Sequence, residues 1–177
     1  MHTLLLIGDS LIEFGDWPTL LPGINVINRG VAGETVEDLA VRIGNEVTRV
    51  ETDAILIMCG TNNLLMGSHY FPAIYRSMLP RIRDLCPETN LTLTSMLPMA
   101  LSWPSREDIV RINRELKNLC RETGCDFLDM VKPFEKYCLP ITQPCFLNDG
   151  IHLSTRGYQV WAREIAIHYH YPSPPSL

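Results

Sequence analysis

Five residues spread along the chain are of the types that hydrolyse an ester when brought together: Ser10, Gly33, Asn62, Asp149 and His152. A serine hydroxyl is a weak nucleophile unless a base takes its proton during attack. Imidazole suits that task, with an unperturbed pKa of about 6.5. A carboxylate on the far ring nitrogen fixes the tautomer and stabilises the imidazolium. Asp149 stands three residues before His152, a spacing that on a turn lets one short side chain reach the other's ring. Charge developing on the substrate oxygen needs fixed donors. Glycine exposes its backbone N–H and an asparagine amide offers two more, so Gly33, Asn62 and the N–H of Ser10 are the candidates. Taken singly, each piece is ordinary. Gly8, Asp9 and Ser10 are turn formers, Gly33 suits a turn, and Asn62 suits a left-handed position. Asp149 also reads as an acid at a helix start beside a surface histidine.

The elements that must position these residues show in the hydrophobic pattern. Thr3 to Ile7, Ile24 to Ile27, Ala54 to Met58, Leu91 to Thr94 and Phe127-Leu128 are short apolar runs without alternation, which fits strands buried on both faces of a parallel sheet. Between them apolar residues recur at helical spacing. Val36, Leu39, Ala40, Ile43, Val47 and Val50 form one stripe, and Ile74, Met78, Ile82 and Leu85 a second. Pro80 lies inside the second and predicts a kink or break, since proline removes a hydrogen bond and clashes with the preceding turn. Ile109, Ile112, Leu116 and Leu119 form a third, with Ser105 and Asp108 at its start and Gly124 at its end. Tyr158, Trp161, Ala162 and Ile165 follow Ser154 or Thr155 as a last cap and stripe. Alternating strands and helices read as an open α/β sandwich in one domain over residues 1–171, with a frayed proline-rich tail over 172–177. Ligands of such sheets bind outside the carboxyl ends of the strands. The four polar stretches that carry the five residues all fall there.

In that order the stretches resemble the blocks of the SGNH hydrolase superfamily, the GDSL-type esterases and lipases. Ile7-Gly8-Asp9-Ser10-Leu11 resembles the first, Asn28-Arg29-Gly30-Val31-Ala32-Gly33-Glu34-Thr35 the second, Gly60-Thr61-Asn62-Asn63 the third, and Asp149-Gly150-Ile151-His152-Leu153 the last, with Gly157-Tyr158 downstream. The resemblance implies a three-layer α/β/α sandwich, flavodoxin-like, with a five-stranded parallel sheet. It implies Ser10 as nucleophile, Asp149 and His152 as its partners, Ser10, Gly33 and Asn62 as oxyanion donors, and neither cofactor nor metal. Position 63 departs from the pattern, being Asn where the family often has Asp, and this bears on the hydrogen bonds around Asn62. Gly-x-Ser-x-Gly is absent, which argues against the nucleophile elbow of the α/β-hydrolases.

A small-molecule ester is the expected partner. Lysophospholipid, thioester, aryl ester and carbohydrate acetate are all within the superfamily's range. Leu11, Leu64, Met66, Met96 and Trp103 flank the motifs and either wall an acyl site or pack the loops onto the core. An acyltransferase on the same machinery, or a binding module without turnover, are the rival readings. Lysines and arginines are scattered and the net charge is -5, which excludes a nucleic-acid surface built on concentrated positive charge. No apolar run approaches the roughly 20 residues that span a bilayer, so stable membrane insertion is not expected. No signal peptide is visible and a cytoplasmic location is the default reading. Oligomeric state is left open. Six cysteines without metal-ligand spacing read as reduced structural thiols, with Cys138 and Cys145 the pair to watch. His2, His69, His168 and His170 read as surface residues.

Overall fold

The structure, a computed structural model, describes residues 2–138 and 144–172. The expected frayed tail falls almost wholly outside them. Five strands form the sheet: β1 (Thr3–Gly8), β2 (Asn25–Gly30), β3 (Ala54–Met58), β4 (Asn90–Thr94) and β5 (Asp126–Leu128). All pairings are parallel and the order is β2-β1-β3-β4-β5. Leu4 to Ile7 and Ile55 to Met58 have no exposed surface, because helices cover both faces of the central strands. β2 is half-exposed, as an edge strand must be, and runs three residues past its apolar core to Gly30. Gly8 pairs with Gly30 on one side and Met58 on the other. The ends of β2, β1 and β3 therefore lie level.

Eight helices are described: α1 (Ser10–Glu13), α2 (Trp17–Leu20), α3 (Val36–Thr48), α4 (Thr61–Leu65), α5 (Pro72–Leu85), α6 (Arg106–Thr123), α7 (Val131–Cys138) and α8 (Thr155–His168). Helices α3, α5 and α6 pack in a row on one face, and α2, α8 and α7 on the other. The four long stripes become α3, α5, α6 and α8. The expected caps hold: Ser105 accepts from Asp108 N–H, Ser154 accepts from Gly157 N–H, and Gly124 closes α6 in the left-handed conformation. Helices α1, α2 and α4 span four or five residues, little more than one turn, so no periodicity announces them. Around α8 the core is aromatic. Trp17 meets Trp161 and Tyr158 edge to face at 5.3 and 5.7 Å and donates to Ile12 O at 2.7 Å.

Three expectations need correction. Helix α5 runs unbroken through Pro80. Met78, Leu79 and Ile82 are buried on either side of the proline, and Pro80 itself and Arg76, whose carbonyl loses its donor, are exposed. Packing thus outweighs the lost bond, and water can serve the orphaned carbonyl. Cys138 and Cys145 form a disulfide, seven residues apart, while Cys59, Cys86, Cys120 and Cys125 are free. An antiparallel bridge between Phe146 and Leu153 starts immediately after Cys145, and Cys145 O accepts from Ser154 N–H. This fold-back sets the second cysteine beside the end of α7. Two of the four histidines are half-buried and bonded to the fold. His69 bonds Arg111 and lies under Trp103, and His168 Nε2 lies 3.1 Å from the Thr92 hydroxyl.

Burial holds the His168 imidazole below its ordinary value, against the opposing pull of Asp126. The unfolded chain therefore takes up this proton at a higher pH than the folded one. Stability from this group is present above about pH 6.5 and is lost as the pH falls through the depressed folded value. The urea midpoint is expected to drop between pH 7.5 and pH 5.5, and His168→Gln is expected to flatten part of that drop. An unaltered pH slope in the variant would refute the assignment.

Candidate active site

Gly8 ends β1 where the chain passes hard against β3. A Cβ there would sit 1.7 Å from Met58 O, so no other residue fits. Asp9 then caps α1, its Oδ1 accepting from Leu11 N–H at 3.0 Å. The carboxyl group is fully buried, which raises its pKa to about 6 against the pull of that N–H. Ser10 is the first residue of α1 and is 7% exposed. The first N–H groups of a helix have no partner within it. Here the N–H groups of Asp9, Leu11, Ile12, Glu13 and Phe14 all find acceptors. Among the described residues that of Ser10 finds none.

The 145–154 fold-back supplies the other two groups. Leu147 N–H donates to His152 O at 2.7 Å and Gly150 N–H to Leu147 O at 2.9 Å, which closes a tight loop. Asp149 Oδ1 accepts from the N–H groups of Ile151 and His152 at 2.9 and 3.0 Å. Its Oδ2 lies 2.6 Å from His152 Nδ1. The bond to the imidazole, with the Ile151 N–H next, pulls the Asp149 carboxyl down to about 2. The carboxylate thus holds the proton on Nδ1 and leaves Nε2 as an acceptor. Ser10 Oγ lies 3.0 Å from that nitrogen. Three side chains drawn from opposite ends of the sequence form one hydrogen-bonded line, with the Phe14 ring 5.4 Å from the imidazole.

The turn after β2 presents its N–H groups selectively. Gly30 N–H goes to Asn28 Oδ1, Val31 N–H to Gly8 O, Ala32 N–H to Glu13 Oε2, Glu34 N–H to Val31 O and Thr35 N–H to Asp38 Oδ2. Among the described residues Gly33 N–H alone in this stretch has no acceptor. Gly33 has φ +78°, the left-handed region that favours glycine. Asn62, in α4 after β3, donates one amide hydrogen to Glu34 O at 2.8 Å, and the second has no acceptor among the described residues. The site therefore holds a hydroxyl hydrogen-bonded to an imidazole and three N–H donors without an acceptor among the described residues, groups of the kind that acyl transfer needs. Among the described residues no cluster of three or more His, Cys, Asp or Glu side chains is placed to hold a metal ion.

The flanking apolar residues divide. Leu11, Leu64 and Met96 are core residues, each no more than 1% exposed. Their contacts are with the protein, which leaves Met66 and Trp103 as the exposed members of the set. Sequence patterns passed over Glu34 and Arg42. A glutamate and an arginine eight apart at a turn and a helix read as solvated charges, and only burial reveals the pair. Asp9 belongs to the serine motif, yet its capping role is visible only in α1.

Asn63 explains itself through its partners. Its Oδ1 accepts from Val36 N–H at 2.9 Å, and its Nδ2 donates to Glu37 Oε2 at 2.6 Å. The residue pins the start of α3 to α4. Asn63→Asp keeps the acceptor but sets a carboxylate against Glu37, and is expected to cost about 1–3 kcal/mol. Glu37→Gln in the same chain is expected to restore much of that loss. A melting temperature unchanged in the single variant would contradict this role.

The chain is similar to known proteins in sequence and in fold. A model of the GDSL-like Lipase/Acylhydrolase family matches residues 6–160. Acetylxylan esterase of Geobacillus stearothermophilus is 26% identical over 156 residues, which span 80% of this chain and 70% of that protein. A crystal structure of acetylxylan esterase from the same organism superposes with a TM-score of 0.77 at 22% identity, covering 97% of this chain and 95% of that one. An alpha/beta hydrolase enzyme from the metagenome of Lake Arreo, Spain, superposes with a TM-score of 0.75 at 20% identity, covering 94% of each chain. At such identities the superpositions bear on the fold, while the family model rests on the sequence itself. The chain belongs to the GDSL-like lipase/acylhydrolase family and is an ester-hydrolysing enzyme.

Proposed function

We propose that the protein is a serine esterase that removes short acyl groups, acetyl foremost, from a hydroxyl-rich alcohol such as a carbohydrate. The observation that carries the reading is the line Ser10 Oγ–His152 Nε2 and Nδ1–Asp149 Oδ2, at 3.0 and 2.6 Å. Ser10 Oγ attacks the ester carbonyl carbon as its proton passes to His152 Nε2. Asp149 stabilises the imidazolium so formed. The carbonyl electron pair moves onto oxygen, where Ser10 N–H, Gly33 N–H and the free Asn62 hydrogen receive it. The C–O bond to the alcohol then breaks, and the imidazolium proton goes to the departing oxygen. Water repeats the cycle on the acyl-serine, losing a proton to His152, and releases the acid with Ser10 restored.

Two features support the substrate class. Leu11, Leu64 and Met96 are consumed by the core and offer no wall to a long acyl chain. A cavity of about 460 Å³ reaches Phe14, whose ring lies 5.4 Å from the imidazole. It is bordered by Leu20, Leu147, Leu153 and Tyr158 together with Asp16, Thr19 and Gln159, apolar and aromatic faces among carboxylate, hydroxyl and amide groups. This chemistry suits a sugar on the leaving-group side. The sequence relation to an acetylxylan esterase points the same way.

A series of p-nitrophenyl esters from acetate to long acyl chains tests both parts. Activity is expected to peak at acetate, to fall by about 10⁴-fold or more in Ser10→Ala and by about 10⁴-fold in Asp149→Asn, where the imidazole tautomer is no longer enforced. Full activity in Ser10→Ala would sink the mechanism. A peak at long chains would sink the short-acyl assignment while leaving the mechanism intact.

A further inference from the structure

The Gly33 turn is exposed. Val31, Ala32 and Gly33 all face solvent, and a Cβ at Gly33 would touch nothing within 4 Å. A donor in such a turn is useful to an oxyanion only if the turn is held rigidly, since preorganisation is what makes the donor effective. One side is tied by Ala32 N–H to Glu13 Oε2 at 2.6 Å. The other side ends in Glu34, a carboxylate that is nearly all buried, its side chain only 4% exposed. Arg42, on the first turns of α3, meets it with a two-pronged bond: Nε to Oε1 at 2.5 Å and Nη2 to Oε2 at 2.6 Å. The same Nη2 also donates to Arg29 O at 2.9 Å. A single guanidinium therefore bridges residue 29 before the turn and residue 34 after it. The Glu34 carbonyl in turn accepts from Asn62 Nδ2 at 2.8 Å and lies 3.6 Å from Cys59 Sγ.

We infer that the Glu34–Arg42 pair is the positioning device of the oxyanion site, setting both the Gly33 N–H and the Asn62 amide from one buried anchor. Neither side chain touches substrate; both act through Gly33 and Asn62. The inference rests on the serine-esterase reading. The pair is also more than the burial of a charge requires. A carboxylate could be paired by any cation, whereas the bridge to Arg29 O needs the planar fork of arginine.

Arg42→Lys and Glu34→Gln separate these roles. Lysine keeps the positive charge but cannot span Arg29 O and both carboxylate oxygens. Glutamine keeps the shape and one acceptor. In both, kcat for p-nitrophenyl acetate is expected to fall by about 10- to 100-fold, short of the 10²–10³ for outright loss of a donor, with KM changed by less than about twofold. The affinity of a boronic acid, whose adduct with Ser10 is tetrahedral and anionic, is expected to weaken in step with kcat/KM. Melting temperatures check that the variants are folded at assay temperature. A folded variant with wild-type kcat and boronate affinity, whatever its melting temperature, overturns the positioning role and leaves the pair purely structural. Equal loss of kcat with unchanged boronate affinity overturns it as well. Ser10→Ala run alongside keeps the two readings apart: activity surviving there defeats the serine mechanism itself, while activity lost there and kept in the pair variants defeats only this inference.

Discussion

Close approach of β1 and β3 where both strands end is the constraint on which the rest of the molecule depends. The sheet order reverses between these two strands, and such a reversal opens a crevice at the carboxyl edge. β1 delivers Ser10 to one lip and β3 delivers Asn62 to the other. The approach is possible because Gly8 has no side chain to meet Met58 O. It is maintained because Leu4 to Ile7 and Ala54 to Met58 behind it are apolar and buried. Each such Leu or Ile contributes about 1.5–3 kcal/mol, so the site stands on the most stable part of the fold.

Around that crevice the protein commits its backbone donors unevenly. Among the described residues every N–H of the α1 start has an acceptor except that of Ser10, and every N–H from Gly30 to Thr35 except that of Gly33. Buried or loop amides are normally satisfied locally. Two that find no acceptor among the described residues, at the ends of the neighbouring strands β1 and β2, are the backbone donors left over for a ligand. Glu13 and Glu34 are drawn into the same arrangement, one accepting from Ala32 N–H and the other fixed by Arg42. Charges near the site thus serve as anchors of geometry.

The imidazole is held by a different principle. Its loop carries a disulfide, a two-residue antiparallel bridge and a carboxylate that accepts three bonds. Asp149 is largely exposed, yet its pKa falls to about 2 because the charged form is hydrogen-bonded from the ring and the backbone. Asp9, the residue immediately before the same serine, moves the opposite way because it is buried. Environment, not residue type, sets the opposite shifts of the two carboxylates.

Much of this was legible in the residues. Unalternating apolar runs identified all five strands, stripes at helical spacing identified the four long helices, and the ordered motifs contain Ser10, Asp149 and His152, which the fold joins by hydrogen bonds. These signals are local, and local pattern suffices where burial on both faces or a turn dictates composition. Tertiary structure alone decided the rest. Pro80 stays helical because its neighbours Met78, Leu79 and Ile82 are packed. Cys138 and Cys145 pair because a β-bridge folds the chain back. Leu11, Leu64 and Met96 belong to the core because the sheet edge closes over them. Arg42 reaches Glu34 and Arg29 O because α3 leaves its capped start at the angle that Asn63 pins. Each of these outcomes depends on which surfaces meet, a relation among residues far apart in the chain that no single stretch of sequence encodes.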